Sequence, residues 1–480
     1  MAVDINNLTG TLLNRALGMA RQQYKITHGF WDIYQGPLQM KSDEYSGEEW
    51  YEVPNLTAVP VPLAAGAPDQ DYNEAGVRTK FYPKDLFGTL EVGWDLARTK
   101  TNIKGLTSVV ANKVTRFLNL DLPWYMNSAI CLDGSGRRAE VTHVVADSGE
   151  GDSTSRLYLK PVHVPNTNPG FQDATKWIRD YMRIDTVSYT EGTTSDDSGS
   201  IIDSGLRIMR HSAGSAPAVD DTAHATYPYI DVYPAITSTV KGNFVCLINA
   251  ESGVDGEIQG LMASVGNGYN SNEAIHSDYP RIGRQFYGQV NRQAYANSRL
   301  QGYCYNTDTN FIASGSEFDD ITLDSVVMEN FLEAYHDWAP EGTEIDFIIT
   351  HWRIRQAYAM AHRDDHVTLF NYNPANPDIG YGKVTYHDPK SGKEIPIYGI
   401  HDWHRRVMMI VSKGPLAMGH VGEPSWQNIT EGSGGPWHNM LPVTKEKLYR
   451  AVYGDRALLV NHFPSAIGVM YQCKENPTFS

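Results

Sequence analysis

The chain has 480 residues, with 56 acidic against 40 basic side chains and a formal net charge of −16. Such a length can bury a substantial core and points to about two to four domains or one elaborated fold, while 41% hydrophobic and 20% charged residues exclude a disordered chain. No run of Lys or Arg exceeds a pair such as Arg137-Arg138 or Arg405-Arg406, so the sequence is a poor match for a protein that grips a phosphate backbone.

The 28 tyrosines and ten tryptophans lean towards extensive protein contact, because large amphipathic rings are enriched at interfaces. Cys131, Cys246, Cys304 and Cys473 are far apart and form no CxxC pair, the pattern of buried, reduced thiols in a protein folded in a cytoplasm. The start, Met1-Ala-Val-Asp-Ile-Asn, lacks the basic residues and apolar run of a signal peptide, and no apolar stretch is long enough to span a bilayer. The N-x-T triplets at Asn7, Asn55 and Asn428 therefore carry little weight.

In chain order, residues 7–24 are predicted to form an amphipathic helix with Leu8, Leu12, Ala16, Leu17, Ala20 and Tyr24 along one stripe. From Gly36 to Gly93 the helical period is lost. Extended pieces at Trp50–Val53 and Thr79–Tyr82 flank a small-residue, acidic tip at Ala64–Asp71. An arm reaching to a neighbouring molecule and an ordinary β-meander fit this stretch equally. Leu96, Thr99, Ile103, Leu106, Val110, Val114 and Phe117 predict a helix of several turns. After Pro123 the pattern changes to strands, at Ala139–Val145 and Leu157–Val164. Thr190–Ala218 is rich in Ser, Gly and Asp and reads as a mobile loop. Ile282, Phe286, Val290 and Ala294, four apart, predict a long helix over Arg281–Leu300.

The last third is the most informative. Asp319-Asp320-Ile-Thr-Leu-Asp324 is a cluster of capping residues, and Val327, Met328, Phe331, Leu332 and Tyr335 then recur at helical spacing until Pro340-Glu341-Gly342. Ile345–Ile349 is a short apolar strand. A second helix carries Trp352, Ile354, Tyr358 and Ala361, and near the end Ala457–Val460 runs into Phe463–Met470.

Patterns that suggest chemistry fail on inspection. His362-Arg-Asp-Asp-His366 has the i, i+4 spacing of a zinc site, but Arg363 stands where a zincin needs its general-base Glu. His401 and His404 lie in an extended context, where positions three apart face opposite sides. Asn306-Thr-Asp308-Thr-Asn310 begins like a calcium loop, yet Phe311 replaces the required Gly. Asp196-Asp197, Asp319-Asp320 and Asp364-Asp365 are adjacent pairs in loop, cap or helix-end positions. No nucleophile elbow, phosphate loop or dinucleotide fingerprint is present. No catalytic residue, metal ligand or cofactor site is therefore assigned.

The order of elements in the C-terminal half resembles the major capsid proteins of tailed bacteriophages, the Hong Kong 97-like fold also seen in encapsulins. The resemblance rests on a spine helix ending near Leu300-Gln-Gly302, a helix entered by Ile321-Thr-Leu-Asp324, the strand Asp346–Ile349, and a helix over Arg353–Ala361. It continues with the small-apolar-Pro step Lys393–Ile397 and a closing strand with Pro464 and Ala466. It implies an α+β fold with an N-terminal arm (1–45), an extended loop (46–94) and an inserted, partly β-rich region (95–270) with its core near 124–164. A spine helix and peripheral domain (271–320), an axial domain (321–420) and returning C-terminal strands (421–480) complete it.

The function implied is a non-enzymatic subunit that assembles as hexamers and pentamers into an icosahedral head. Such a head encloses double-stranded DNA without sequence-specific binding, and the family's further partners are portal, scaffold and decoration proteins. The location implied is the virion, after synthesis in the host cytoplasm, with no membrane association. No charged, coiled-coil-like leader precedes the arm, so a cleaved scaffolding segment is expected to be absent. Lys80 and Lys84 lie where a few relatives crosslink, but no Asn or Glu partner can be placed, and no isopeptide bond is assigned. The alternatives are a carbohydrate-active hydrolase whose carboxylates converge from distant segments on an acidic, aromatic cleft, and another virion structural protein such as a portal or tail component.

Overall fold

A computed structural model describes residues 37–39, 45–52, 75–81, 83–93, 112–113, 116, 121–146, 154–162, 172–190, 198–212, 227–248, 257–265, 286–287, 290–291, 302–305, 323, 325–340, 342–361, 384–388, 390–400, 403–420, 425–427, 438–439, 448–471 and 473. The first described elements are strands β1 (Pro37–Gln39), β2 (Tyr45–Glu52), β3 (Ala75–Phe81) and β4 (Lys84–Gly93), and helix α1 (Leu122–Cys131) lies further along the chain. Six strands come next: β5 (Arg137–Ala146), β6 (Ser155–Lys160), β7 (Arg183–Thr190), β8 (Ser198–Ser212), β9 (Tyr229–Tyr233) and β10 (Phe244–Leu247). The short helix α2 (Leu261–Val265), strands β11 (Phe286–Tyr287), β12 (Val290–Asn291) and β13 (Tyr303–Tyr305), and helix α3 (Ser325–Trp338) follow. Then come β14 (Phe347–His351), helix α4 (Trp352–Ala361), β15 (Thr385–His387), β16 (Glu394–Ile400), β17 (Met408–Val411) and β18 (Leu416–His420). The last strands are β19 (Ser425–Gln427), β20 (His438–Asn439), β21 (Leu448–Asn461) and β22 (Ile467–Met470).

The central sheet has the order β13-β22-β17-β14-β16-β15. All of β14, β17 and β22 is buried. Side chains alternate between faces, and here each face meets a different core. Phe347, Ile349, Met409, Val411, Ile467 and Val469 pack with α1 and α2 through Ile130, Met126, Leu261 and Met262. Ile348, Met408, Ile410 and Met470 pack with Met328, Phe331, Leu332 and Tyr335 of α3 and with Ile354 and Tyr358 of α4. These positions are why the sequence shows nearly continuous apolar runs instead of alternation. The helix periods read from 325 to 361 are thus realised on one side of this sheet.

A second sheet has β21 as its spine. Leu448 to Ala457 pair with Gly93 back to Lys84 of β4, while the opposite edge of β21 receives β20, β19 and β18 in turn. β1 adds to β18 in parallel. Strands β2 and β3 form a separate antiparallel pair, so the two extended pieces expected around residues 50 and 80 lie side by side. The predicted helix at 7–24, the acidic tip at 64–71 and the helix at 96–117, apart from residues 112–113 and 116, lie outside the described residues.

Strands β5 to β10 close into a barrel in the order β10-β5-β6-β9-β8-β7. Ala139, Val141, Leu157, Leu159, Ile184, Leu206, Ile208, Ile230, Val232 and Val245 fill its interior, with Ala174 and Ile178 joining this core. Closure removes the exposed edges that an open sheet of this size would carry.

Three sequence expectations are corrected. Thr190–Ala218 is not a loop over its described part: Ser198–Ser212 is β8, paired on both sides. Its polar composition belongs to the solvent face of a barrel strand, whereas Leu206 and Ile208 point inward, and Gly205 at φ +68° accommodates a register shift against β7. The β-rich region begins at Arg137 and runs to Leu247, while residues 124–131, expected in its core, lie in α1 and contribute Met126 and Ile130 to the core shared with the central sheet. Within Arg281–Leu300, the described residues form the antiparallel pair β11–β12 and not a helix. Tyr287 explains the difference: it is buried edge-on against Phe81 at 5.0 Å, and its hydroxyl accepts the Asn461 N–H at 2.8 Å.

Gly468 in β22 faces the α3 layer, where a Cβ would stand 2.8 Å from the Tyr335 ring. That ring is held by its hydroxyl donating to the Ala466 carbonyl at 2.9 Å. Gly468→Ala is expected to cost about 1–3 kcal/mol through overpacking. Gly93→Ala, with open space around the new methyl, should stay within about 0.5 kcal/mol of wild type. Urea denaturation of both variants checks the contrast.

Candidate functional site

The groups weighed for chemistry are mostly outside the described residues: His362, His366, His401, Asn306–Phe311, and the three Asp pairs. His404 is described, and it is structural: Nε2 donates to the Cys131 carbonyl at 2.7 Å in a buried setting. Among the described residues, no three His, Cys, Asp or Glu side chains gather as metal ligands, and no helix is long and apolar enough to cross a membrane. The cysteines are free thiols, and burial, reinforced by Glu257, pushes that of Cys246 up to about 12.

The densest buried polar chemistry lies instead where the barrel meets the core. Two stretches cross there, Leu132–Gly136 between α1 and β5, and Glu257–Gly260 leading into α2. They run side by side, with the Glu257 N–H donating to the Gly134 carbonyl at 2.8 Å. Gly134 has φ +78°, and a Cβ there would lie 2.8 Å from the Gln259 Cα. At Gly260 a Cβ would lie 2.2 Å from the Ala129 carbonyl oxygen, so only glycine lets α2 start against the end of α1.

Arg137 and Arg138 begin β5, and adjacent strand positions point to opposite sides. Arg137 donates to Asp133 Oδ2 at 3.0 Å and to Ser135 Oγ at 2.9 Å, with its guanidinium 4.0 Å from the centre of the Tyr189 ring. Arg138 Nη2 reaches both Glu257 oxygens, at 2.7 and 2.9 Å, with both side chains buried. Burial holds the Glu257 carboxyl above its ordinary range, against the pull of Arg138. A third tie comes from the chain after β6: Lys176 Nζ donates to the Trp403 carbonyl, and Trp177 packs in the same core as Trp403. The joint is therefore bonded at several points.

Inside the barrel wall, Asp203 organises the turn after β9. Its Oδ1 accepts from the Thr237 N–H and hydroxyl, at 3.3 and 2.7 Å, and its Oδ2 from Ser238 N–H, Thr239 N–H and Thr239 hydroxyl at 3.2, 2.8 and 2.6 Å. Burial alone would raise this carboxyl, but the donors from Thr239, Thr237 and Ser238 hold it below its usual range. Asp388 is held low in the same way, by Ser391, the Lys390 N–H and His336, against its burial. Arg156 donates to both oxygens of Asp231, at 2.7 and 3.1 Å, and Arg210 reaches the same carboxylate at 3.3 Å. Sequence reading had marked only the Arg137-Arg138 pair. Arg138 and Glu257 are 119 positions apart, and no local spacing signals such a partner.

What this arrangement can do is tie the barrel to the core through directional bonds. Glu257→Ala should cost about 3–5 kcal/mol, because it leaves Arg138 charged and buried, whereas replacing both as Arg138→Met with Glu257→Leu should cost far less. Urea midpoints of the single and double variants measure this. Asp203 and Asp388 titrate lower in the folded than in the unfolded chain. The stability they contribute is therefore complete above about pH 4, near the usual Asp value, and is lost as pH falls through their depressed folded values. Asp203→Asn should flatten this acid limb in thermal melts between about pH 2 and 5, and should cost about 1–3 kcal/mol at neutral pH by turning an amide towards N–H donors.

No protein-family model and no curated protein sequence matches the chain. Solved structures to which it is similar include the capsid asymmetric unit of cyanophage A-1(L), at 11% identity and a TM-score of 0.45, covering 93% of this chain and 92% of that one. They also include the capsid of the empty GTA particle, at 8% identity and a TM-score of 0.41, covering 93% and 90%. A third is the satellite phage P4 procapsid with its size determination (Sid) protein, at 9% identity and a TM-score of 0.33, covering 96% and 92%.

Proposed function

We propose that the chain is a major capsid protein of the tailed-phage type, self-assembling as hexamers and pentamers into an icosahedral head around double-stranded DNA. The observation that carries this reading is the pairing of β4 with β21, which ties an N-terminal extended region to the C-terminal strands beside a helix-covered central sheet. In this reading residues 1–45 are the arm, 46–94 the extended loop, and the barrel within 95–270 an inserted domain. Residues 271–320 belong to the peripheral domain, 321–420 are the axial domain, and 421–480 are strands that return to the peripheral and axial domains.

The β2–β3 pair supports the same reading. A two-stranded ribbon is marginally stable alone in water, and a neighbouring subunit in a shell would cover it. Many modest interfaces with symmetric closure give a shell collective stability while each contact stays weak enough to correct errors. A net charge of −16 would keep the inner surface from holding DNA during packaging.

The chain expressed alone is expected to give closed shells, or hexamers and pentamers, in size-exclusion chromatography and negative-stain electron microscopy. Deleting residues 1–35 should abolish shells while leaving a soluble, folded subunit. Normal particles from the truncated chain would remove the arm assignment, and a full-length chain that stays monomeric with any added scaffold would sink the capsid reading.

A further inference from the structure

The outer face of the barrel carries an unusual row of side chains. Arg183 of β7, Arg207 of β8 and Tyr233 of β9 are direct cross-strand neighbours, and all three are exposed. Tyr181 lies against the Arg207 guanidinium at 5.0 Å and is 64% exposed, with φ at +66°. Met209, also exposed, extends the patch. Like charges directly opposite on a sheet destabilise it, and neither Arg183 nor Arg207 has a counter-charge among the described residues.

The outer face of α3 is its charge complement. Glu329, Glu333 and Asp337 are exposed at successive i, i+4 positions, with the exposed Val326 at the helix start. Like charges at that spacing weaken a helix, and these carboxylates likewise have no basic partner among the described residues. Each surface thus retains a local cost that the other would relieve. An excess of 16 acidic residues in the whole chain disfavours nucleic acid as the partner of so small a basic patch.

We propose that the Arg183–Arg207 face of the barrel, flanked by Tyr181 and Tyr233, docks on the Glu329–Glu333–Asp337 face of α3 in a second copy of this chain. This rests on the capsid reading and gives it a specific contact. The two faces differ, so the contact is head-to-tail and closes into a ring when the rotation between copies permits. The arginines supply steering and register, and Tyr181, Tyr233 and Met209 supply the area that excludes water around them.

The test compares wild type, Arg183→Glu with Arg207→Glu, and a fourfold charge swap that adds Glu329→Lys and Glu333→Lys. Sedimentation velocity, electron microscopy and thermal melts are run on each. The double reversal should raise the critical concentration for association by about tenfold or more, since juxtaposed like charges cost several kcal/mol, with the melt unchanged. The fourfold swap should restore association. If the reversal shifts the melt, Arg183→Gln with Arg207→Gln replaces it and should weaken association in the same direction. Shells from wild type and reversal alike would overturn this contact and leave the capsid reading intact. So would failure of the fourfold swap to rescue, or loss of single-stranded oligonucleotide binding without any change in assembly. A wild-type chain with no self-association would overturn both.

Discussion

The structure depends on three adjacent strands, β22, β17 and β14, that have no solvent face. In β14, β17 and β22 successive residues belong to different cores, one shared with α1 and α2 and the other with α3 and α4. A shift of one residue in any of these strands would exchange the two sets, forcing Phe347 and Ile349 into the space shaped for Ile348. Register, helix placement and the glycine at 468 are consequences of satisfying both layers at once. Tyr335 illustrates the coupling: its ring occupies the room left by Gly468, and its hydroxyl is anchored one residue beyond the short 3₁₀ turn's centre, at Ala466.

The barrel obeys a different logic. It has its own interior and its strand ladder closes on itself, so the joint contributes the directional bonds that tie it to the core. That joint is polar where the core is apolar. A buried ion pair adds little net stability over a hydrophobic pair, but its bonds are directional. Arg138 Nε and Nη1 have no hydrogen-bond partner among the described residues, which fits a pair that fixes geometry more than it deepens the energy minimum. The close passage of Gly134 over Gln259 and of Gly260 over the end of α1 gives the same constraint in steric form.

Legibility from sequence followed the range of the interactions. Helices α3 and α4 and strand β14 were readable because their patterns are local: Val327, Met328, Phe331, Leu332 and Tyr335 mark one helical face within nine residues. β8 was misread because half of a barrel strand faces water, and Ser-Gly-Ser and Asp-Ser-Gly there look like turn chemistry. The helix expected around Phe286 and Val290 is not formed: the two residues lie on opposite strands of the β11–β12 pair, so their spacing of four crosses from one strand to the other, and Tyr287 beside them is held by a distant ring, Phe81. Arg138 with Glu257 and Asp203 with Thr239 join segments 119 and 36 positions apart, and nothing in one segment announces the other.

The β4–β21 ladder has a consequence in time. Its partners, Lys84–Gly93 and Leu448–Ala457, are separated by most of the chain, so during synthesis β4 emerges long before anything can pair with it. Such non-local closure is slow and comes last. A polypeptide that stops before Leu448 already holds every strand of the barrel, which all lie between residues 137 and 247, yet it offers β4 no partner along this ladder. This one sheet therefore waits on residues 448–457, whereas the barrel strands do not.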